Sequence, residues 1–125
     1  MHKSITSTNA PSPIGPYSQA TLAGNTLFVS GQIPLDPQSG NLVSGTIEEE
    51  TEMVMQNLKN ILIEAGADFS HVVKCSIFVK DMADFTKINE TYGKYFQDNP
   101  PARETVEVSG LPKNVRVEIS CIAVL

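Results

Sequence analysis

Val115-Arg-Val-Glu-Ile-Ser-Cys-Ile-Ala-Val124 alternates apolar and polar side chains over most of its length. A period of two is typical of a β-strand that buries one face. A carboxylate such as Glu118 is costly within an apolar strand unless it has a partner. The stretch therefore predicts a sheet with one packed face and one partly polar face. The residues predicted on the packed face are Val115, Val117, Ile119, Cys121 and Ala123; those on the other face are Arg116, Glu118 and Ser120.

Four further segments have the composition of strands. They are Tyr17–Leu22, Thr26–Ile33, Val72–Val79 and Glu104–Ser109. Gly24-Asn25 between the first two is a turn pair consistent with a hairpin. In the last segment the alternation predicts two buried side chains, Val106 and Val108, and turns to the opposite face Arg103, Thr105 and Glu107.

Two segments carry helical spacing. Thr46-Ile-Glu-Glu49 is a capping-box pattern, and an apolar stripe follows it up to Gly66, a suitable stop. A second stripe predicts a helix from about Asp81 to Asn99, where Pro100-Pro101 ends it. The order β-β-α-β-α-β-β predicts an α+β fold, with one sheet and both helices packed on one face. The two stripes are Val54, Leu58, Ile61, Leu62 and Ala65, and Phe85, Ile88, Tyr92 and Phe96.

The uncovered face of this sheet is predicted to be largely polar. Such a face can meet water, line a subunit interface or line a cleft. The sequence does not decide how the last two predicted strands are aligned. A direct hairpin pairing Ser109 with Val115 would put Arg103 on the face of Val117, opposite to that of Glu118. Arg103 and Glu118 can share a face only with a bulge, an odd offset or strands that do not pair directly. The residues assigned to this face are Ser30, Gln32, Arg103, Thr105, Glu107, Arg116, Glu118 and Ser120.

Length and charge narrow the function classes. The 125 residues, 13.5 kDa, predict a single domain over residues 1–125. Fourteen acidic and nine basic side chains give a net charge of −5, which argues against a dedicated nucleic-acid binder. The polar run after Lys3 does not resemble a signal peptide, and no segment has the length of a membrane span. We therefore expect a cytoplasmic protein that binds no membrane.

One long segment carries no charge. Between Lys3 and Asp36 there is no Asp, Glu, Lys or Arg. Such a segment is more typical of packed chain than of solvated chain. It can pack against the protein's own core or against another subunit, and residue preferences favour the first.

Common catalytic motifs are missing. Gly40 to Gly45 has P-loop spacing, but Thr46 stands where a lysine is needed. With only two histidines, a zinc site or a hydrolase triad is not expected. Cys75 and Cys121 lie on apolar strand faces and are predicted to be buried small hydrophobes.

Two charged residues remain as candidates for chemistry. A guanidinium such as Arg103 can grip a carboxylate at two points. Glu118 is a carboxylate within an apolar strand. Spacing alone favours the simpler alternatives, in which each is a surface strand residue or the two form an ion pair.

Four blocks of the sequence resemble the Rid family, also called YjgF-like proteins. The resemblance covers essentially the whole chain in order, and the last block is the most specific. The blocks are residues 10–19 (Ala-Pro-Ser-Pro-Ile-Gly-Pro-Tyr-Ser-Gln), 29–40 (Val-Ser-Gly-Gln-Ile-Pro-Leu-Asp-Pro-Gln-Ser-Gly), 101–113 (Pro-Ala-Arg-Glu-Thr-Val-Glu-Val-Ser-Gly-Leu-Pro-Lys) and 117–123 (Val-Glu-Ile-Ser-Cys-Ile-Ala).

The resemblance implies a chorismate-mutase-like fold and a homotrimer with a barrel-like core and clefts between subunits. It also implies a 2-iminobutanoate/2-iminopropanoate deaminase. Such enzymes hydrolyse 2-aminoacrylate and related imines, released by pyridoxal-phosphate-dependent serine or threonine dehydratases, to 2-oxo acids and ammonia. No cofactor and no metal are implied.

The resemblance also implies roles for individual residues. Arg103 would bind the substrate carboxylate, and Glu118 would hold and polarise a water molecule. The remaining positions around the cleft are Tyr17, Ser30, Gly31, Asn89 and Thr105, while Tyr92 is expected to face the core. Many deaminases have cysteine where this chain has Thr105, so a thiol-dependent step is in doubt here, whereas a main-chain N–H contact at this position would be kept.

Two alternatives to the deaminase stay open. The same clefts could serve a non-catalytic trimeric ligand-binding or regulatory protein, although such a role needs only Arg103. Ribonuclease activity is reported for some relatives, but the net charge and the lack of a histidine pair argue against it.

Overall fold

The chain forms one more strand than the sequence pattern predicts. The computed structural model describes residues 1–125. The additional strand, β1, has three residues, of which only Ile5 is buried, so it leaves almost no alternation to detect. The elements are β1 Lys3–Ile5, β2 Ala20–Ala23, β3 Thr26–Gln32, α1 Ile47–Glu64, β4 Val72–Val79, α2 Phe85–Gly93, β5 Ala102–Glu107 and β6 Val117–Val124, with 3-10 turns at Phe69–His71, Met82–Asp84 and Pro112–Asn114.

All six strands lie in one sheet, in the order β1-β2-β3-β6-β4-β5. Neighbouring strands are antiparallel except β4 and β5, which are parallel. The single mixed sheet with two helices is thus confirmed. The strand order settles the register question, because β4 lies between β5 and β6 and the two do not pair directly. This order does not bring Arg103 and Glu118 to one face, since Arg103 is in register with Cys121, an odd number of residues from Glu118.

The predicted assignment of β5 to the open face is wrong. Arg103 pairs with Cys75, and Thr105 with Ile77, whose buried side chains face the helices. Residues in register share a face. Arg103, Thr105 and Glu107 therefore point to the helix side, while Val106 lies on the open face, 42% exposed. Polar side chains are tolerated on the helix side here because β5 is an edge strand that the helix layer covers incompletely.

Two other residues also leave the open face. A bulge between Val29 and Gln32 shifts the alternation of β3, so Gln32 is opposite Ile119 and is buried. Arg116 precedes β6, and its side chain runs to Glu50 on α1. The helix-facing set predicted for the last strand is confirmed, since Val115, Val117, Ile119, Cys121 and Ala123 are all buried.

The first helix matches its sequence signals and the second is shorter than predicted. Thr46 and Glu49 form the capping box of α1, and Gly66 follows its end at a φ of 79°. Asp81 caps only the 3-10 turn at Met82–Asp84, and α2 ends at Gly93 rather than at Asn99. The stripe residues Ile88, Tyr92 and Phe96 are nevertheless buried.

The uncharged segment packs in part against the protein's own core, while Ile14, Tyr17 and Phe28 remain exposed in the protomer. Ala20, Leu27 and Val29 are buried, and the Gln19 side chain is 2% exposed. Gln19 accepts a hydrogen bond from Ser7 N and donates to the carbonyl oxygens of residues 7, 10 and 11. These bonds satisfy a buried amide that would otherwise be costly. Neither helix has the length and hydropathy needed to cross a membrane.

Candidate functional site

The Glu118 carboxylate lies against the backbone of Gly31. Both stand at the bulge where β3 meets β6. A Cβ added at residue 31 would overlap the carboxylate, with the Glu118 Cδ only 2.7 Å away. Carbon atoms in van der Waals contact are about 3.5–4.0 Å apart. The absence of a side chain at Gly31 therefore makes room for the carboxylate of Glu118.

Glu118 has no ionic or hydrogen-bonding partner in the protomer. It is absent from all three ion pairs, and no side chain donates to it. Burial raises the pKa of this carboxyl group above its ordinary value of 4.5. A half-buried carboxylate without a partner is suited to taking up a proton. The alternative in which Glu118 forms an ion pair with Arg103 does not hold within the protomer.

A cavity of about 330 Å³ opens beside Glu118. Its walls are mainly apolar. Tyr17, which lies before β2 rather than within it, is 51% exposed at this cavity. The Ser30 hydroxyl donates to Ser18 O at 2.6 Å, so its oxygen remains free to accept from a ligand. The lining residues are Ile14, Tyr17, Ser30, Gly31, Ile33, Pro112 and Glu118.

Arg103 occupies a second site at the outer edge of the sheet. Its Nη1 donates to the Asn89 Oδ1 at 2.6 Å. The guanidinium carbon lies 5.1 Å from the ring centre of Tyr92 and 5.7 Å from that of Phe85. Two aromatic faces and one amide thus hold the cation, a favourable arrangement for a guanidinium. No carboxylate pairs with it.

The space around Arg103 suits a small anion. A cavity of about 380 Å³ is lined by Tyr92, Pro100, Pro101 and Arg103. Thr105, two residues along β5, has a buried Oγ1 without a hydrogen-bond partner. Tyr92 is buried, as predicted, and its hydroxyl also lacks a hydrogen-bond partner. Because only Nη1 of Arg103 is bonded, to Asn89, and no carboxylate pairs with it, the guanidinium can offer two parallel N–H groups to a carboxylate.

Arg103 and Glu118 do not meet within one protomer. Across β4, Arg103 is in register with Cys121, three residues beyond Glu118. Two strand spacings and three residues of rise separate their Cα atoms by about 14 Å. Their side chains also point to opposite faces of the sheet. The predicted site residues therefore form two groups: Tyr17, Ser30, Gly31 and Glu118 in one, and Arg103, Asn89 and Thr105 in the other.

Neither cysteine is suited to chemistry. Cys75 and Cys121 are direct partners across β4 and β6, and both are buried free thiols. Burial raises the pKa of each thiol and keeps it neutral. No three His, Cys, Asp or Glu side chains converge in an arrangement that could hold a metal ion.

Sequence reasoning missed two supports of the Glu118 group. Asn57 on α1 is fully buried and donates to the carbonyl oxygens of Ile33 and Leu35, which fixes the chain after Gly31. Arg116 binds Glu50 and Gly45 O, which anchors the start of β6 to α1. The sequence signal for Asn57 was a polar residue within the apolar stripe of the predicted helix, whereas the predicted strand placed Arg116 on the open face.

Comparison with known proteins finds relatives that match almost the whole chain. The family model described as Endoribonuclease L-PSP matches residues 7–125. A RutC family protein of Pyrococcus horikoshii is 52% identical, over 98% of both chains. The human 2-iminobutanoate/2-iminopropanoate deaminase is 47% identical, over 96% of this chain and 88% of its own.

The chain belongs to the Rid family, for which L-PSP is another name.

Solved structures of Rid proteins share the fold throughout. A Rid family protein of Yersinia pestis is 42% identical, with a TM-score of 0.95 over the full length of both chains. Escherichia coli TdcF, solved with bound serine, is 38% identical, with a TM-score of 0.94 over 98% of both chains.

Proposed function

We propose that this protein hydrolyses 2-imino acids to 2-oxo acids and ammonia, in clefts between neighbouring protomers of a homotrimer. The observation that carries the proposal is a pair of opposite charges, neither of which has an ion-pair partner. Arg103 on one face of the sheet and the half-buried Glu118 on the other are therefore both free to act on a ligand. Membership of a family with imine deaminases supports the same reaction.

The division of the site explains why one protomer is not enough. Arg103 and Glu118, about 14 Å apart and on opposite faces, cannot hold one small molecule between them. In a closed ring of identical subunits, the Arg103 edge of one protomer can face the Glu118 cavity of the next. The open face of the sheet, with Phe28 and Val106 exposed, is the surface that such packing would cover.

On the substrate side, Arg103 would bind the carboxylate of the imino acid through two N–H groups. Asn89 and the two aromatic rings hold the guanidinium in place, which fixes the C=N carbon relative to the opposite wall. Thr105 would contribute its main-chain N–H, which a threonine provides as well as the cysteine found there in many deaminases.

On the water side, Glu118 would act as the general base. It takes a proton from water as the oxygen attacks the carbon of the protonated imine, giving a carbinolamine. It then returns that proton to the amine nitrogen. The C–N bond breaks, ammonia leaves, and the hydroxyl proton is lost as the carbonyl forms. The raised pKa of Glu118 suits a group that both accepts and donates a proton.

The imine would come from pyridoxal-phosphate-dependent serine or threonine dehydratases, as in the archetypal branch of the family. The first experiment couples such a dehydratase to this protein in the presence of semicarbazide, which traps free imine. Wild type should raise 2-oxo-acid release above the uncatalysed rate. Arg103→Ala and Glu118→Gln should each abolish the increase, whereas Glu64→Gln, an exposed control on α1, should leave it unchanged.

A mixing experiment tests the shared site. Co-expression of Arg103→Ala and Glu118→Gln chains in equal amounts should restore about a quarter of the wild-type rate, because one random interface in four combines an intact Arg103 with an intact Glu118. No recovery in mixed trimers would contradict a site shared between protomers. An inactive but folded wild type would instead favour a ligand-binding or regulatory protein that uses the same clefts.

A further inference from the structure

The turn that precedes β6 contains backbone strain beside the Glu118 group. Lys113 has φ 55° and ψ 21°, and Asn114 has φ 61°. Asparagine visits this left-handed region readily, but lysine does so at a cost. The third non-glycine residue with a positive φ is also an asparagine, Asn99, so Lys113 is the one long side chain in this conformation.

The strained lysine lies at the mouth of the proposed site. Lys113 lines a narrow cleft together with Tyr17 and Gly31, two residues that also line the Glu118 cavity. Its neighbour Pro112 forms part of that cavity wall. Lys113 takes part in none of the three ion pairs, and its side chain is exposed. Its charge is therefore free to act on a ligand.

The charge balance shows why a cation is needed there. The protein carries a net charge of −5, and Glu118 adds a carboxylate to this wall of the cleft. The proposed substrate is itself an anion, so without a nearby cation this side of the cleft would repel it. We propose that Lys113 attracts the anionic substrate into the cleft on the Glu118 side, and that its strained backbone is the cost of placing a lysine there. This inference rests on the proposed function.

The test separates charge from strain with three variants. Lys113→Gly removes both the charge and the backbone strain. Lys113→Gln removes only the charge, and Lys113→Arg keeps both the charge and the strain. Lys59→Gln, on an exposed part of α1, is the control for net charge. The dehydratase-coupled assay is run at ionic strengths of about 0.02 M and about 0.5 M, where screening is weak and strong respectively.

At low ionic strength, kcat/KM should fall about two- to threefold in the Gly and Gln variants, the size expected for the loss of one exposed charge near an anion in water. The Arg variant and Lys59→Gln should match wild type, and at high ionic strength all should converge. Lys113→Gly should also raise the thermal midpoint by about 4 °C, since glycine adopts the left-handed backbone without strain. An unchanged kcat/KM in the Gly variant, or an Arg variant as impaired as Gly, would overturn the inference.

A second readout keeps the two proposals distinguishable. Binding of the product 2-oxobutanoate, measured by calorimetry at the two ionic strengths, should weaken in Lys113→Gln at low ionic strength only. If wild type binds 2-oxobutanoate in this way but hydrolyses no imine, the deaminase proposal fails and the role of Lys113 stands. If turnover is normal and neither kcat/KM nor product binding depends on Lys113, the deaminase proposal stands and the role of Lys113 is refuted.

Discussion

Replacing Gly31 with alanine should disable Glu118 without unfolding the protein. The new Cβ would lie 2.7 Å from Cδ and 3.0 Å from Cγ of Glu118. Ordinary carbon contacts need about 3.5–4.0 Å, so the carboxylate must move by about 1 Å. A misplacement of this size can cost about 100-fold in rate. The backbone of Gly31 is outside the left-handed region, so alanine adds no backbone strain there.

The kinetic signature of Gly31→Ala is specific. We expect kcat to fall about 100-fold and KM to change little, because the proposed carboxylate-binding group around Arg103 lies on a different surface of the protomer. The thermal midpoint should stay within about 3 °C of wild type, since the displaced atoms belong to one flexible side chain. The dehydratase-coupled assay measures the rate, and scanning calorimetry measures the midpoint.

A double-mutant cycle decides whether the loss acts through Glu118. Glu118→Gln alone should lower kcat by about 100-fold or more, the range for a general base. If Gly31→Ala only displaces this carboxylate, adding it to Glu118→Gln should reduce kcat by no more than about threefold further. A Gly31→Ala variant with wild-type kcat, or losses that multiply fully in the double variant, would refute the reasoning.

Three further predictions follow from the contacts. Because burial raises the pKa of Glu118 above 4.5, kcat/KM should rise with pH as this carboxyl group loses its proton. The free energy of unfolding of wild type, relative to Glu118→Gln, should fall over the same pH interval, because the folded state disfavours the ionised carboxylate. A kcat/KM that does not change with pH would contradict this. Arg116→Ala leaves the buried Glu50 unpaired and should lower the free energy of unfolding by about 2 kcal/mol in urea, less than for a fully buried pair because Arg116 is 40% exposed. Lys74→Ala, at an exposed ion pair, serves as its control and should change little. Gln19→Leu should cost about 3 kcal/mol by the same measurement, since the backbone groups it bonds become unsatisfied; a loss below 1 kcal/mol would show that they are solvated instead.

The prediction of the fold succeeded where local pattern and packing agree. The alternation in β6 and the capping box of α1 are set by residues close in sequence, and both appear in the structure as predicted. The prediction of the fold failed where a strand or a helix end depends on residues far away in the sequence. β1 exists because Ser4 pairs with Thr21, and α2 ends at Gly93, before the last residue of its apolar stripe.

The candidate site shows the same division. The types of its residues were evident from the sequence: a guanidinium that could bind a carboxylate, a carboxylate in an apolar strand, and the blocks that resemble the Rid family. Their grouping was not, because the predicted face of Arg103 relied on alternation within β5 alone. The face of an edge strand is set by its pairing with β4, which no local pattern encodes.

The sequence by itself determined the α+β class, the limits of α1, the packed face of β6 and the membership of Glu118 in a polar face. Periodicity and capping express these directly, because they depend on the geometry of single elements. Only the tertiary structure decided that β4 separates β5 from β6, that a bulge sets Gly31 against Glu118, and that Arg103 and Glu118 occupy opposite faces. These depend on strand order and register, which arise from contacts between residues far apart in the chain.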